Sequence, residues 1–378
     1  MKKLFLIGVL LFLGSSSFAQ TNKTFFLGHS LVNFHMPNMV NKLSIAGARP
    51  FSYNANVGNG ANLLFHWNNP TSGQGDSWNT TLPTGGFENF IITEAVPLAG
   101  HLQWSSTYRI ADSLYRFAQL QNPTIRYYIY ETWHCTNSGN GSTSGQQGYP
   151  CDWDPGSVAP WRSRLTTDLS KWESIADSIN LIHPNQMLVI PAGQALGRLS
   201  DSIIAGNVSG ISAMTDFFGD NIHLDMRGNY FIACVMYSVI QGVSPVGLPH
   251  QLTDEWGVPY ALFPTAQQAA IMQRIAWQTV CDYDRDGVSC NVTSVASNNH
   301  SINNLNIYPN PSNDFISIGA NIILVGSTYV ITDQTGRQVL IGKLNNETTL
   351  VDISSFSAGM YFFQVGQESK QTFKVVKK

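Results

Sequence analysis

Charged residues are scarce in this sequence. Asp, Glu, Lys and Arg make up 12% of the 378 residues, and the formal net charge is only −3. The chain has no basic patch of the kind that binds nucleic acid, and it has no acidic tail. Zinc-finger and phosphate-loop patterns are missing as well. We therefore expect no nucleic-acid partner.

Long apolar runs are equally few. The run from Leu4 to Leu13 is too short to span a bilayer. It follows two lysines and precedes small residues that end in Ser17-Phe18-Ala19. This pattern predicts a signal peptide over residues 1–19, with a membrane anchor as the alternative interpretation. No later run is long enough to cross a membrane, so we expect an exported protein without a membrane span.

Cysteines number only five, and an exported chain can pair them in disulfides. Cys135 and Cys151 bracket a loop rich in Gly, Ser and Asn, and Cys281 and Cys290 bracket the sequence DYDRDGVS. Both spacings suit a local bridge. Cys234 lies in the apolar run YFIACVMYSVI and is predicted to be a buried free thiol.

The rest of the composition favours a folded chain with a sizeable core, because 43% of the residues are hydrophobic. Helix-like stretches alternate with strand-like runs, and one of these helices places Ile110, Leu114 and Phe117 at helical spacing. Such alternation predicts an α/β fold, with a parallel sheet covered by helices on both faces. The predicted strands cover residues 24–27, 51–55, 89–93, 124–131 and 186–190.

The composition changes near residue 285. We assign residues 20–285 to a first domain and residues 286–304, with the polar stretch VTSVASNNHSINN, to a linker. Residues 305–378 consist of short strand-like runs divided by turn residues, and they contain no helix-length pattern. The sequence therefore predicts a small all-β sandwich domain there.

This tail resembles the C-terminal sorting domain of proteins exported by type IX secretion. The similarity runs through NIYPNPSND, TDQTGRQV, VDISSFSAGMYFFQV and the closing KVVKK. The resemblance implies passage through the periplasm and export by the type IX machinery, to the medium or to the cell surface. The alternative interpretation is a carbohydrate-binding sandwich that uses Tyr308, Tyr329 and Tyr361 as stacking faces.

Residues suited to nucleophilic catalysis occur at two distant positions. Ser30 follows the strand-like run TFFL and Gly28, which places it at the carboxyl end of a strand, where open α/β sheets have their active sites. Asp220 and His223 are three residues apart, so the carboxylate can bind Nδ1–H and leave Nε2 as a general base. A serine hydroxyl is a weak nucleophile without such a base. The predicted catalytic triad is Ser30, His223 and Asp220.

Three segments are similar to sequence blocks of the SGNH (GDSL-like) hydrolase family: FFLGHSLVN, NANVGNGANL and GDNIHLDMRGNYFIACVMY. The resemblance implies a flavodoxin-like fold, with Ser30 as nucleophile and with Asp220 and His223 completing the triad. It also implies an oxyanion hole formed by the amides of Ser30 and Gly60, with Gly58 as the alternative to Gly60. Preorganised donors of this kind stabilise the charge that develops on a carbonyl oxygen.

Two positions depart from the family pattern. His29 stands where the first block usually has Asp, a position that is mostly structural. The third block usually supplies an Asn amide to the oxyanion hole, but here the strand ends IITEAVPL. Thr93 can donate a hydrogen bond from its hydroxyl, whereas an ionised Glu94 can only accept. The predicted third oxyanion donor is therefore Thr93.

Other residues suggest binding roles. Trp133 and His134 follow a predicted strand, so we expect them in the cleft of Ser30 as substrate contacts, with loop packing as the alternative. The acidic turn DYDRDG could bind calcium through Asp282, Asp284 and Asp286, or it is a solvated turn pinned by a disulfide. We expect no required metal or organic cofactor, and structural calcium only as an addition.

The expected reaction is hydrolysis of an extracellular ester. Aromatic faces and Asn-rich loops suit sugar rings, so the sequence favours removal of acetyl groups from polysaccharide through an acyl-enzyme on Ser30. A lipid or small-ester hydrolase and a non-catalytic glycan-binding protein are the alternatives. The tryptophans behind this interpretation are Trp67, Trp78, Trp104, Trp133, Trp153 and Trp161.

Overall fold

The computed structural model describes residues 22–136, 160–290, 306–319, 326–345, 348–365 and 371–378. The predicted signal peptide and most of the predicted linker lie outside the described residues. The predicted Cys135–Cys151 bridge involves Cys151, which is also outside them, so that pairing stays a prediction.

The first part of the chain alternates strands and helices, as the sequence predicts. Its strands are β1 (Asn22–Gly28), β2 (Phe51–Val57), β3 (Gln74–Gly75), β4 (Phe87–Ile92), β5 (Arg126–Tyr130) and β6 (Met187–Ile190). Its helices are α1 (His35–Ala46), α2 (Leu63–Asn68), α3 (Trp78–Thr81), α4 (Leu98–Trp104), α5 (Thr107–Gln121), α6 (Trp161–Asn180), α7 (Ala192–Ile204), α8 (Met226–Gln241) and α9 (Ala266–Cys281).

The six strands form one sheet in the order β3-β2-β1-β4-β5-β6. All neighbouring pairs are parallel except β2 with β3. The chain moves from β1 to β2 in one direction and from β4 to β6 in the other, so right-handed crossovers place α1 and α5 on opposite faces. This is the predicted flavodoxin-like order. Its switch point lies between β1 and β4, and ligands bind at the carboxyl ends of the strands there.

Burial explains why the central strands are continuously apolar. Phe25, Phe26 and Leu27 of β1 are completely buried, because helices cover both faces of the sheet. Capping residues fix the helices that flank them. Asp225 accepts hydrogen bonds from the first amides of α8, and Thr265 forms a capping box with Gln268 at the start of α9.

Both edges of this sheet are covered. At one edge the two residues of β3 pair with the end of β2. At the other edge the amide of Val189 in β6 donates to the carbonyl of Arg285 at 2.9 Å. The structure contains the predicted Cys281–Cys290 disulfide, so that prediction is confirmed. Arg285 lies in the loop that this disulfide closes. Cys234 is buried and free, as predicted.

The tail forms separate antiparallel sheets with a core of their own. Ile316, Ile331 and Phe363 are completely buried in this second core. The predicted all-β fold of the tail is confirmed. The strands are β7 (Asn306–Tyr308), β8 (Phe315–Gly319), β9 (Thr328–Asp333), β10 (Gln338–Lys343), β11 (Thr348–Asp352), β12 (Gly359–Val365) and β13 (Gln371–Lys377). One sheet has the order β10-β9-β12-β13 and the other β11-β8-β7.

Candidate active site

The turn after β1 carries Ser30 at the switch point of the sheet. Gly28 ends the strand because there is no room for a larger residue. A Cβ atom on Gly28 would lie 2.5 Å from Cγ2 of Thr93 and 2.7 Å from Cγ2 of Val32. The exit of β4 therefore approaches the backbone of β1 closely. Glycine at this position lets the chain turn and present Ser30 at the edge of the sheet.

Two buried histidines brace this turn. His29 donates from Nε2 to the carbonyl of Glu94 at 3.0 Å, and its Nδ1 accepts from the amide of Leu31 at 3.3 Å. His66 donates from Nε2 to the carbonyl of Gly28 at 2.9 Å. Burial lowers the pKa of both imidazoles to about 4, so both are neutral at pH 7. The role of His66 carries no signal in the sequence, because its partner is 38 residues away.

A tight turn between α7 and α8 brings the other two predicted triad residues to Ser30. Nδ1 of His223 lies 2.7 Å from Oδ2 of Asp220, and Nε2 of His223 lies 2.8 Å from Oγ of Ser30. The side chains of His223 and Asp220 are 45% and 49% exposed, so the site opens to solvent. The predicted spacing thus gives an unbroken relay from carboxylate to imidazole to hydroxyl.

Hydrogen bonds to Asp220 keep its carboxylate ionised. Oδ1 accepts the amides of Ile222 at 2.8 Å and His223 at 2.6 Å. Burial alone would raise the pKa of Asp220, but these amides and the His223 ring together lower it below its ordinary value. The charged form is therefore the one that faces Nδ1 of His223.

The segment after β5 also supports the turn that carries Asp220 and His223. Trp133 donates from Nε1 to the carbonyl of Ile222 at 2.7 Å. The amide of Thr136 donates to the carbonyl of Asn221 at 2.7 Å. These two bonds tie the backbone just before His223 to the segment after β5, a support that the sequence alone does not reveal.

The expected oxyanion donors are the amides of Ser30 and Gly60. The amides of Ser30 and Gly60 donate no hydrogen bond within the described part of the chain. Gly60 has φ +67°, a left-handed conformation that favours glycine. The amide of Gly58 donates to the carbonyl of Gly28 at 2.9 Å, so the alternative assignment of Gly58 as a donor is wrong.

The prediction of Thr93 as third oxyanion donor is also wrong. Thr93 is completely buried, and its hydroxyl donates to the carbonyl of Tyr130 at 2.8 Å, into the sheet. The hydroxyl is therefore engaged between the exits of β4 and β5 and is not free to donate to an oxyanion. The described residues thus offer backbone donors but no third-block side-chain amide.

Glu94, next to Thr93, has a structural role that sequence reasoning missed. Its Oε1 accepts the amides of Ala95 at 2.8 Å and Leu63 at 3.2 Å, and its Oε2 accepts the hydroxyl of Thr107 at 2.7 Å. Burial raises the pKa of this carboxyl to about 7, against the lowering effect of its three donors. Glu94 therefore ties the start of α2, just after the Gly60 turn, to the segment that follows β4.

The prediction that Trp133 and His134 contact substrate is wrong, because both side chains are buried. Trp133 and His134 are each 1% exposed, so neither presents a face to the cleft. Trp133 positions the His223 turn, as described above. His134 lies within the fold, with Nε2 2.8 Å from the carboxylate of Asp168. Both residues therefore pack within the loop after β5, as the alternative interpretation predicted.

Three of the five described tryptophans that suggested a sugar surface are likewise buried. Trp78 and Trp161 are 4% and 7% exposed, and Trp67 stacks on Trp78. Trp153 lies outside the described residues. Trp104, at the end of α4, is 77% exposed. The tryptophan count of the sequence therefore overstates the aromatic surface available to a ligand.

The acidic turn does not have the geometry of a calcium site. Asp282 faces the guanidinium of Arg198 at 2.5 Å, whereas Asp286 is buried and accepts the amide of Val288 at 2.8 Å. Asp284 is exposed. Within the described ranges, no group of three His, Cys, Asp or Glu side chains is arranged to hold a metal ion. The prediction that Asp282, Asp284 and Asp286 bind one calcium ion is therefore not supported, since Asp282 and Asp286 have separate partners.

Comparison with known proteins identifies the tail. Residues 306–378 match the family described as the secretion system C-terminal sorting domain. The chain carries a type IX sorting domain. The protein is therefore exported and is either secreted or held at the cell surface. None of the helices in the described part of the chain has the length and apolarity needed to span a bilayer.

The first domain is similar to solved structures at low identity. A DUF4886 family protein from Bacteroides uniformis is 15% identical, with a TM-score of 0.48 over 69% of this chain and 95% of that chain. A carbohydrate esterase family 3 protein from Talaromyces cellulolyticus is 12% identical, with a TM-score of 0.33 over 59% of this chain and 100% of that chain.

A third similar structure is the periplasmic domain of a lipopolysaccharide acetyltransferase from Salmonella Paratyphi A. It is 12% identical, with a TM-score of 0.33 over 57% of this chain and 81% of that chain. No curated protein matches the chain. At this distance the names of these proteins say nothing about the substrate of this chain.

Proposed function

We propose that this protein is a serine ester hydrolase, with Ser30 as nucleophile, His223 as general base and Asp220 as the residue that orients the imidazole. One observation carries the proposal: Asp220, His223 and Ser30 form a continuous hydrogen-bonded relay with distances of 2.7 and 2.8 Å. A hydroxyl held at Nε2 of an oriented imidazole is the arrangement that acyl transfer requires.

The proposed reaction has two steps. Nε2 of His223 takes the proton of Ser30 as Oγ attacks the ester carbonyl, and the oxyanion is met by the amides of Ser30 and Gly60. His223 then protonates the departing alkoxide, which leaves an acyl-enzyme. In the second step His223 deprotonates a water molecule that attacks the acyl carbon. The carboxylic acid leaves, and Ser30 recovers its proton.

The proposed substrate is an O-acetylated polysaccharide outside the cell. Export supports an extracellular substrate, since the tail is a sorting domain. The exposure of the relay supports a polymeric one, because His223 and Asp220 are close to half exposed and a chain can approach them without entering a tunnel. Neither step requires a metal or an organic cofactor.

The test is acetate release from acetylated polysaccharides by the full chain, compared with the Ser30→Ala variant. Ser113→Ala, on α5 and away from the relay, is the matched control. We expect release by the wild type and by Ser113→Ala, and none by folded Ser30→Ala. A folded Ser30→Ala variant with wild-type turnover would contradict the mechanism. Turnover of short synthetic esters alone would keep the hydrolase and refute the polysaccharide substrate.

A non-catalytic glycan-binding protein is the second candidate. It is favoured by one observation, the absence of a side-chain donor at the third-block position, where Thr93 donates into the sheet. Loss of one oxyanion donor typically costs about 10²–10³ in kcat. Glycan binding without turnover of any ester would favour this candidate over the hydrolase.

A further inference from the structure

A pocket of about 500 Å³ lies beside the turn that holds Gly60. The segment Val57–Asn62 forms one wall, and Phe65, Ser72 and Gln74 complete the lining. This volume falls within the range of small-molecule sites. None of the triad residues lines the pocket, so it is a separate space that shares only the Gly60 turn with the reaction centre.

The lining is uncharged and combines apolar surface with a few polar side chains. Among the residues that the structure describes, no ionisable side chain borders the pocket. An anionic ligand would therefore find no cation to offset the loss of its hydration. The amide of Asn62 is already engaged, since it caps Phe65 at 2.8 Å and donates to Ser105 at 3.0 Å. The side chains of Asn59, Ser72 and Gln74 make no hydrogen bond within the described ranges.

An aromatic ring faces the same region. Phe65, on α2, is 38% exposed although it lies in the pocket lining. A sugar ring has an apolar face of C–H groups and a rim of hydroxyls, which matches one aromatic face combined with neutral amides and a hydroxyl. A fatty acyl chain would cover those polar groups without pairing them, at a cost of about 1–3 kcal/mol each.

We propose that this pocket binds a neutral sugar unit of the polysaccharide whose ester is cleaved at Ser30, an inference that rests on the proposed function. The pocket lies at the carboxyl end of β2, where Val57 pairs with Gly28, two residues before Ser30, and Gly60 forms part of its lining. The sugar that carries the ester therefore extends into the pocket. The substrate class is a neutral acetylated glycan, such as acetylated xylan, and not an acidic one.

The test compares kcat/KM of the full chain on acetylated xylan, on acetylated polygalacturonate and on p-nitrophenyl acetate. We expect the wild type to prefer the neutral polymer. We expect Phe65→Ala and Gln74→Ala to lower kcat/KM on xylan about ten-fold more than on p-nitrophenyl acetate, mainly through KM. Phe263→Ala is the matched control, because this ring is 42% exposed on a different loop. It should leave the ratio of the two activities unchanged.

Three outcomes would overturn the inference. Equal losses on xylan and on p-nitrophenyl acetate would show that the pocket does not bind the glycan. Preference for the acidic polymer would refute the neutral sugar and leave the hydrolase standing. If the wild type turns over no ester, the proposed function fails. Calorimetry with a neutral xylo-oligosaccharide then tests whether the pocket binds a neutral sugar. Binding that Phe65→Ala abolishes would support it, and the absence of binding would overturn it.

Discussion

Replacing Gly28 by alanine tests how closely β4 constrains the nucleophile. The new Cβ would lie 2.5 Å from Thr93 and 2.7 Å from Val32, about 0.9 and 0.7 Å short of ordinary contact at 3.4 Å. Both neighbours are buried, so neither can swing into solvent. Overpacking of this kind costs about 2 kcal/mol, which corresponds to a fall of roughly 4–8 °C in Tm. Displacement of Ser30 should lower kcat/KM on a short ester about ten- to hundred-fold.

Thermal unfolding followed by near-ultraviolet circular dichroism measures the stability of the full-chain variants. Thr93→Ser removes the clashing methyl group and keeps the hydroxyl that donates to Tyr130. Alone it should cost about 1 kcal/mol for the lost methyl. Combined with Gly28→Ala it should recover at least about 1 kcal/mol relative to the sum of the single variants. Gly100→Ala, at a helical glycine with open space around it, is the control and should lose no stability. A Gly28→Ala protein that melts within about 1 °C of wild type, or an additive cycle, would refute the reasoning.

Three further predictions follow from the site and its supports. Asp220→Asn should lower kcat about 10⁴-fold in single-turnover measurements, because the amide favours the wrong tautomer of His223; a loss below ten-fold would contradict the relay. Trp133→Phe removes the donor to Ile222 and should lower kcat more than it raises KM for a short ester, whereas unchanged kinetics would show that the turn needs no such support. Glu131 follows β5 and accepts hydrogen bonds from Gln194 of α7. Burial raises the pKa of Glu131 from 4.5 to about 8, so the folded state favours the protonated form, and its stability falls as pH rises from about 4.5 to about 8 and then levels off. Glu131→Gln should therefore gain stability relative to wild type at pH 9 compared with pH 5, and urea titrations that give a pH-independent difference would contradict this.

The parts of the site that could be predicted from sequence are those fixed by local chemistry. Ser30 was placed by a strand that ends on glycine, and Asp220 with His223 by a three-residue spacing that only a tight turn exploits. A parallel sheet with helices on both faces followed from the continuous apolar runs, whereas the flavodoxin-like strand order was implied by the family resemblance. These signals act over a few residues, so one sequence carries them.

The failed predictions depended on distant partners. Thr93 and His134 both stand at strand exits, where side chains can face the cleft or the fold. Their direction is set by the carbonyl of Tyr130 and by the carboxylate of Asp168, 37 and 34 residues away. Asp282 matched a calcium pattern, but Arg198 neutralises it from another helix. Spacing within a motif cannot reveal such partners.

The covered edges of the parallel sheet matter for an exported protein. An open strand edge invites pairing with a second molecule and growth into aggregates. Here β3 pairs with the last two residues of β2 at one edge. At the other edge, the amide of Val189 in β6 donates a hydrogen bond to the carbonyl of Arg285. The Cys281–Cys290 disulfide closes the loop that carries Arg285. We therefore expect reduction of this disulfide to weaken the contact that covers the amide of Val189, and so to favour intermolecular pairing at this strand edge.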